Sequence, residues 1–251
     1  MTITLVPYHA DELLPSESFP LTGAQLTTIT RDLPQGDIWK SLAFLYEPVA
    51  EEVAAQLRRG VTPRVVSGDC TVSEAVVAGV QRAGKDPSIV WFDAHGDVHT
   101  RASSASGYIG GMPLRQIVGA DPELLADPLG VRPLSEDRVL LVGARDLDPP
   151  EVDYLASSQI GRCTVNELDA SLLPEGPVIV HIDVDVVDSR HVPGLRFPVP
   201  DGCTPDELSA ALRRLTATGR VVALDLACTW HDPEGDDNTA RSQLLTDLLA
   251  P

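Results

Sequence analysis

Ser88-Ile89-Val90-Trp91-Phe92-Asp93-Ala94-His95-Gly96-Asp97 opens as an unbroken apolar run of strand length and closes on three potential metal ligands. A run of this kind fits a parallel strand covered on both faces. Extended backbone alternates its side chains, so Asp93, His95 and Asp97, at i, i+2 and i+4, are expected to point the same way. Acids at the end of a buried strand carry charge into a crevice, which is costly unless a cation waits there. The same letters also describe surface acids on a loop with a stray histidine, but a second stretch repeats the design. Val178-Ile179-Val180-His181-Ile182-Asp183-Val184-Asp185 is again an apolar strand closed by carboxylates two apart. Paired strand-end acid clusters in one chain point to a bound metal.

Outward from these stretches, apolar strands alternate with segments of helical period. Ile3 to Val6 reads as a first strand, and about Trp39 to Arg59 as an amphipathic helix stopped by Gly60. Arg64 to Val66 is a short strand that breaks into Ser67-Gly68-Asp69-Cys70-Thr71 before a helix over Val72 to Arg82. Further strands are expected over Asp137 to Val142, Arg162 to Val165 and Arg220 to Leu226, with a closing helix from Asn238 to Leu249. Thr204-Pro205-Asp206-Glu207 is a helix start, with Thr at the N-cap, Pro at N1 and Glu at N3. The loop from His99 to Gly111 is polar and rich in small residues, the composition of a site lining. Alternation of this kind predicts an α/β fold with a parallel sheet, whose ligands bind outside the carboxyl ends of the strands. The polar clusters at Asp69-Cys70, 93–97, 145–151, 183–185 and 225–231 all fall at that edge. No repeat or linker interrupts the chain, so a single domain over 1–251 is expected.

Composition narrows the function classes. At 251 residues and 43% hydrophobic content, the chain can bury a large core. Nineteen basic against 37 acidic residues give a net charge of −18, which argues against nucleic acid and anionic membrane as partners. No apolar run approaches membrane-spanning length, and the N-terminus lacks a signal-peptide pattern, so a cytoplasmic protein is expected. The cysteines, Cys70, Cys163, Cys203 and Cys228, are too scattered for a zinc ribbon or a disulfide scaffold.

Ser-Gly-Asp-Cys-Thr at 67–71, Asp-Ala-His-Gly-Asp at 93–97, Ser-Gly-Tyr-Ile-Gly-Gly-Met-Pro-Leu at 106–114 and His-Ile-Asp-Val-Asp-Val-Val-Asp at 181–188 resemble, in this order, the arginase/agmatinase family of ureohydrolases. The resemblance implies a three-layer α/β/α sandwich on a mostly parallel sheet of about eight strands. It also implies hydrolysis of a guanidino or amidino C–N bond by a hydroxide bridging two Mn²⁺ ions. By position, Asp93 and Asp183 would bridge both metals, His95 and Asp185 would complete one site, and Asp97 with Cys70 the other. Asp97 would also accept the proton of the attacking water. Asp148, Glu151 and Ser106 match positions that receive the amino-acid end of the substrate; Asp148 and Glu151 could equally just begin a helix. The expected partners are a small guanidino or amidino substrate and further copies of the chain.

This sequence departs from the family pattern at three of these places. Cys70 stands where a histidine ligand is usual, and its softer thiolate would favour Zn²⁺ or Fe²⁺ over Mn²⁺. Gly110 stands where a proton-shuttling histidine is usual, leaving His99 and His231 as substitutes. Cys228 falls near the place of a glutamate that pairs with the guanidinium. The expected substrate is therefore an arginine-like amino acid with an altered, less basic head group. The competing reading is a catalytically degenerate arginase-fold protein with a binding or regulatory role.

Overall fold

A computed structural model describes residues 2–250. Its central sheet takes strands β1 (Thr2–Val6), β2 (Gln25–Thr28), β3 (Arg64–Ser67), β4 (Ser88–Phe92), β5 (Val139–Val142), β6 (Gly161–Cys163), β7 (Val178–Asp183) and β8 (Val221–Ala227). The eight lie in the order β2-β1-β3-β8-β7-β4-β5-β6, and every pairing is parallel. Parallel strands need crossovers, and the helices carried by several of them cover both faces. The pleat sorts the side chains: Ile89 and Trp91 enter one apolar layer with helix α1 (Ile38–Arg58) and α2 (Ser73–Arg82). Val90 and Phe92 enter the other layer, against Leu208 and Leu244 of the two helices near the C-terminus (Pro205–Ala217 and Asp237–Leu249). The result is the expected three-layer sandwich.

Local signals explain where the elements start. The Asp37 side chain accepts from Trp39 N at 3.0 Å and caps α1. Thr204 and Glu207 form the anticipated capping box. The sequence reading missed β2, because Gln25–Thr28 is an exposed edge strand with no apolar alternation to mark it. It also carried two strands too far. β4 stops at Phe92 and β7 at Asp183, so the ligands beyond them sit in turns rather than on a pleat. Among the described residues, no helix is long and apolar enough to cross a membrane.

Glu74, in the first turn of α2, is fully buried, and neither carboxylate oxygen has a hydrogen-bond partner. Burial pushes its carboxyl well above the ordinary value of 4.5. The folded state then holds the proton where the unfolded chain releases it, so stability falls as pH rises above that ordinary value. Glu74→Met keeps the bulk and removes the desolvation cost. Urea unfolding should show it more stable than wild type by about 1–3 kcal/mol near pH 8, with the gain shrinking toward pH 5. An equal difference at both pH values would contradict this account.

Candidate metal centre

The ligand motifs converge at the carboxyl edge of β4 and β7, the neighbours at the middle of the sheet. Beyond β4 the chain turns because Asp93 Oδ1 accepts from His95 N at 2.7 Å. Beyond β7 a 3₁₀ turn, Val184–Val186, lets Asp183 Oδ1 accept from Asp185 N at 3.0 Å. The acids thus order their own turns, and Asp185 Oδ1 ties the two together by accepting from Ala94 N at 3.1 Å. Arg145 pins the second turn from outside, donating to the carbonyls of Asp185 and Val186 at 3.1 Å each. A Cβ at residue 96 would come within 2.7 Å of Glu151 Oε1, so glycine here lets that carboxylate lie against the turn. The next residue, Asp97, holds a left-handed φ of 51°, an uncommon conformation for a non-glycine residue.

Asp93, Asp97, Asp183 and Asp185 are all at most 5% exposed. His95 Nδ1 lies 3.3 Å from Asp93 Oδ1 and 3.1 Å from Asp185 Oδ2. Burial opposes its charge, yet Asp185 and Asp93 push the imidazole up to about 12. Burial and Asp93 together push Asp185 up to about 6. Burial, followed by Asp185 and Asp93, pushes Asp183 well up, and Asp97 is raised by burial and Asp93. Asp97 Oδ2 is buried without a hydrogen-bond partner. Such a cluster calls for positive charge, and its donors fit divalent cations.

The donors fall into two groups whose ligand atoms lie within 4.8 Å of one another: Asp93, His95 and Asp185, and Cys70, Asp93 and His181. Asp93 belongs to both, the position of a bridging carboxylate. Cys70 Sγ donates to Asp183 Oδ2 at 3.0 Å, which brings Asp183 to the inner group. Burial, with Asp183 and Asp97, pushes the Cys70 thiol well up, so without a cation it keeps its proton.

A cavity of about 250 Å³ opens onto this cluster, lined by Cys70, His95, Asp97, Asp183 and Asp185 at its floor. Ser106, His99, Asp148 and Glu151 lie along it as well. Glu151 doubles as the N3 residue of a capping box, its Oε2 accepting from Asp148 N at 3.1 Å. The helix-start reading of that pair therefore holds, and both side chains also line the cavity. His99 has partners on both nitrogens, Ser103 Oγ at 3.2 Å and Asp148 Oδ2 at 3.1 Å.

Two expected site residues lie elsewhere. Cys228 is fully buried in the apolar layer with Leu226 and Trp230, not in the cavity. The pleat of β8 continues past its end: Leu224, Leu226 and Cys228 share one face, and Thr229 follows Asp225 and Ala227 on the other. Thr229 lines the cavity, and its hydroxyl donates to Asp183 Oδ1 at 2.6 Å. His231 is exposed on the following loop, its backbone bonded to Gly194 O at 2.8 Å, and does not line the cavity. Tyr108, which the sequence reading passed over, fills the space above Gly110: a Cβ at 110 would overlap its phenol. Its hydroxyl reaches Asp69 Oδ2 at 3.4 Å.

Comparison with known proteins adds an independent line. The arginase family model matches residues 21–249. An arginase of Eremothecium gossypii is 31% identical, with 71% of this chain and 49% of that protein covered. An arginase of Bacillus caldovelox is 32% identical, with 70% and 64% covered. The match thus spans about half to two thirds of the length of these relatives. Among solved structures, an arginase from Bacillus cereus superposes with a TM-score of 0.84 at 22% identity, covering 100% of this chain and 98% of that one. A formimidoylglutamase from Bacillus subtilis gives 0.73 at 17% identity, covering 99% and 84%. At these identities the superpositions speak for the fold alone.

Packing these carboxylates together is unfavourable without a cation and favourable with one, so a single substitution should change sign with metal. Asp183→Asn is expected to unfold at a higher temperature than wild type in chelator. Saturating Mn²⁺, about 1,000-fold above its dissociation constant, should stabilise wild type by about 4 kcal/mol and the variant by far less. Thermal scans with and without metal measure both arms; a wild-type midpoint indifferent to divalent ions contradicts the reading.

Proposed function

Because the chain belongs to the arginase family, we propose that it is a ureohydrolase-type hydrolase that breaks a C–N bond in a guanidino or amidino compound, with two divalent ions, Mn²⁺ foremost, as its cofactor. The observation that carries this reading is a cavity of amino-acid size with acids and an imidazole at its floor. The preferred substrate is an arginine-like amino acid with a modified or less basic head group. The support for this is Thr229: the wall beside β8 presents a hydroxyl to the cavity and no carboxylate. A guanidinium cation left without a carboxylate partner in a closed site binds worse by roughly 3–5 kcal/mol. Asp148, Glu151 and Ser106 are the groups assigned to the amino-acid end.

Bound divalent ions supply Lewis acidity, which makes water a usable nucleophile near neutral pH. Asp97 accepts the proton of the attacking water at Oδ2, its atom without a hydrogen-bond partner. The leaving nitrogen must be protonated, and no side chain at residue 110 can do it. The phenol of Tyr108 occupies that space; burial and Asp69 make it hold its proton tightly, and we assign its hydroxyl the role of hydrogen-bond donor to the leaving nitrogen. Phe197 lies edge-on to His95, with ring centroids 6.2 Å apart, and tilted against Tyr108 at 5.0 Å. The three rings stand together along the cavity wall. His99 acts by holding Asp148 in place rather than by moving a proton itself.

The comparison that tests the substrate assignment is kcat/KM for arginine, N-hydroxylated and N-substituted arginines and agmatine, each with saturating Mn²⁺. A hydroxylated or substituted arginine should exceed arginine by about tenfold or more, and agmatine should be slower still. Arginine or agmatine as the fastest substrate would contradict the reading of Thr229. Turnover of none of them by fully metallated protein would favour the binding role instead. Tyr108→Phe should lower kcat about 10²-fold with a small change in KM; an unchanged kcat would remove Tyr108 from the chemistry.

A further inference from the structure

One lateral row of the sheet, a residue pair below the acids, is built unlike the rest of the core. Trp91 of β4, His181 of β7 and Asp225 of β8 stand side by side in register. All three are at most 1% exposed, on the face covered by α1 and α2. A histidine inside an otherwise apolar strand needs a reason. Its Nδ1 lies 2.8 Å from Asp225 Oδ2, and its ring stacks on Trp91 with centroids 3.6 Å apart and planes at 25°. Its Nε2 is fully buried and has no hydrogen-bond partner.

With Nδ1 donating to the Asp225 carboxylate, Nε2 carries the lone pair of the ring. Trp91 fixes the plane of the ring and also donates from Nε1 to Asp93 Oδ2 at 3.0 Å, tying the row to the acids above it. His181 precedes Asp183 by two residues on the same strand, so both side chains leave the same face. A ring nitrogen of His181, the sulfur of Cys70 and a carboxylate oxygen of Asp93 lie within 4.8 Å of one another. With Nδ1 engaged, Nε2 is the nitrogen free to serve. An imidazole oriented by a carboxylate through one nitrogen, with the other bare among metal donors, is the arrangement of a metal ligand.

We propose that His181 is a ligand of the inner metal ion, with Cys70 and Asp93, and that Asp225 is the positioning residue behind it. The proposal rests on the metal-centre reading above. It makes the two sites chemically unequal. The outer one, with Asp93, His95 and Asp185, offers oxygen and one imidazole, a set suited to Mn²⁺. The inner one adds a thiolate and so favours a softer ion such as Co²⁺, Zn²⁺ or Fe²⁺.

The test uses chelator-stripped full-length protein titrated with Co²⁺, read by equilibrium dialysis and by visible and near-ultraviolet absorption. Wild type should bind two ions, one of them giving a thiolate-to-cobalt charge-transfer band. His181→Gln should keep the outer ion, weaken the inner one by about 100-fold or more and shift or abolish that band. Asp225→Asn should weaken the same ion by about 10–100-fold with the band retained. Should either variant fail to fold, X-ray absorption on the loaded wild type counts imidazoles directly. Two per pair of ions agrees with His95 and His181 both ligating; one per pair overturns the proposal. Unchanged inner-site affinity and spectrum in a folded His181→Gln protein likewise overturn it while leaving the metal centre standing. Wild type that binds no divalent ion removes both.

Discussion

Asp93, Asp97, Asp183 and Asp185 are held nearly out of water at one edge of the sheet; burial and the neighbouring carboxylates raise the proton affinity of Asp97, Asp183 and Asp185, while, against burial, His95 holds Asp93 down. Like charges gathered in a low-dielectric crevice destabilise a fold unless something positive joins them. Much else in the structure follows from arranging that meeting. Phe92 and Asp183 end their strands so that the acids can turn inward, Arg145 braces the second turn from outside, and Gly96 makes room for Glu151. The sheet supplies rigidity: its central strands are buried on both faces and fix the two turns relative to each other.

The cavity has two ends of different character. Its floor is built on strand ends, where positions are set to within the stiffness of the sheet. Its rim comes from the 99–111 loop and the start of the Pro149–Ser157 helix, joined by His99 bonding Ser103 and Asp148. Catalytic groups belong on the stiffer part and specificity groups on the part that can vary. Tyr108 crosses between the two: it is carried on the loop, yet its hydroxyl reaches Asp69 beside the inner donors.

The fold and the acid floor were legible in the sequence because both are written in strong, local signals: unbroken apolar runs, strand-end acids and a capping box. The Gln25–Thr28 strand was not legible, since an exposed edge strand has no buried face to impose a pattern. Cys228 was misplaced although the pleat held the answer, for it shares the face of Leu224 and Leu226. His181 lay in plain view, two residues before Asp183. The family resemblance implies an imidazole at residue 70, and the imidazole near Cys70 stands instead on β7, with β8 between. Tyr108 could not have been assigned from sequence, because its overlap with the space above Gly110 depends on how a long loop closes.

The central claim is that the acid edge of the sheet is a binuclear cation site. Anomalous diffraction from crystals loaded with Mn²⁺ or Co²⁺ tests it most directly. The account predicts two peaks, one bounded by Asp93, His95 and Asp185 and the other by Cys70, Asp93 and His181. A map with no peak at this edge, or with peaks only on the acidic outer surface, would contradict it.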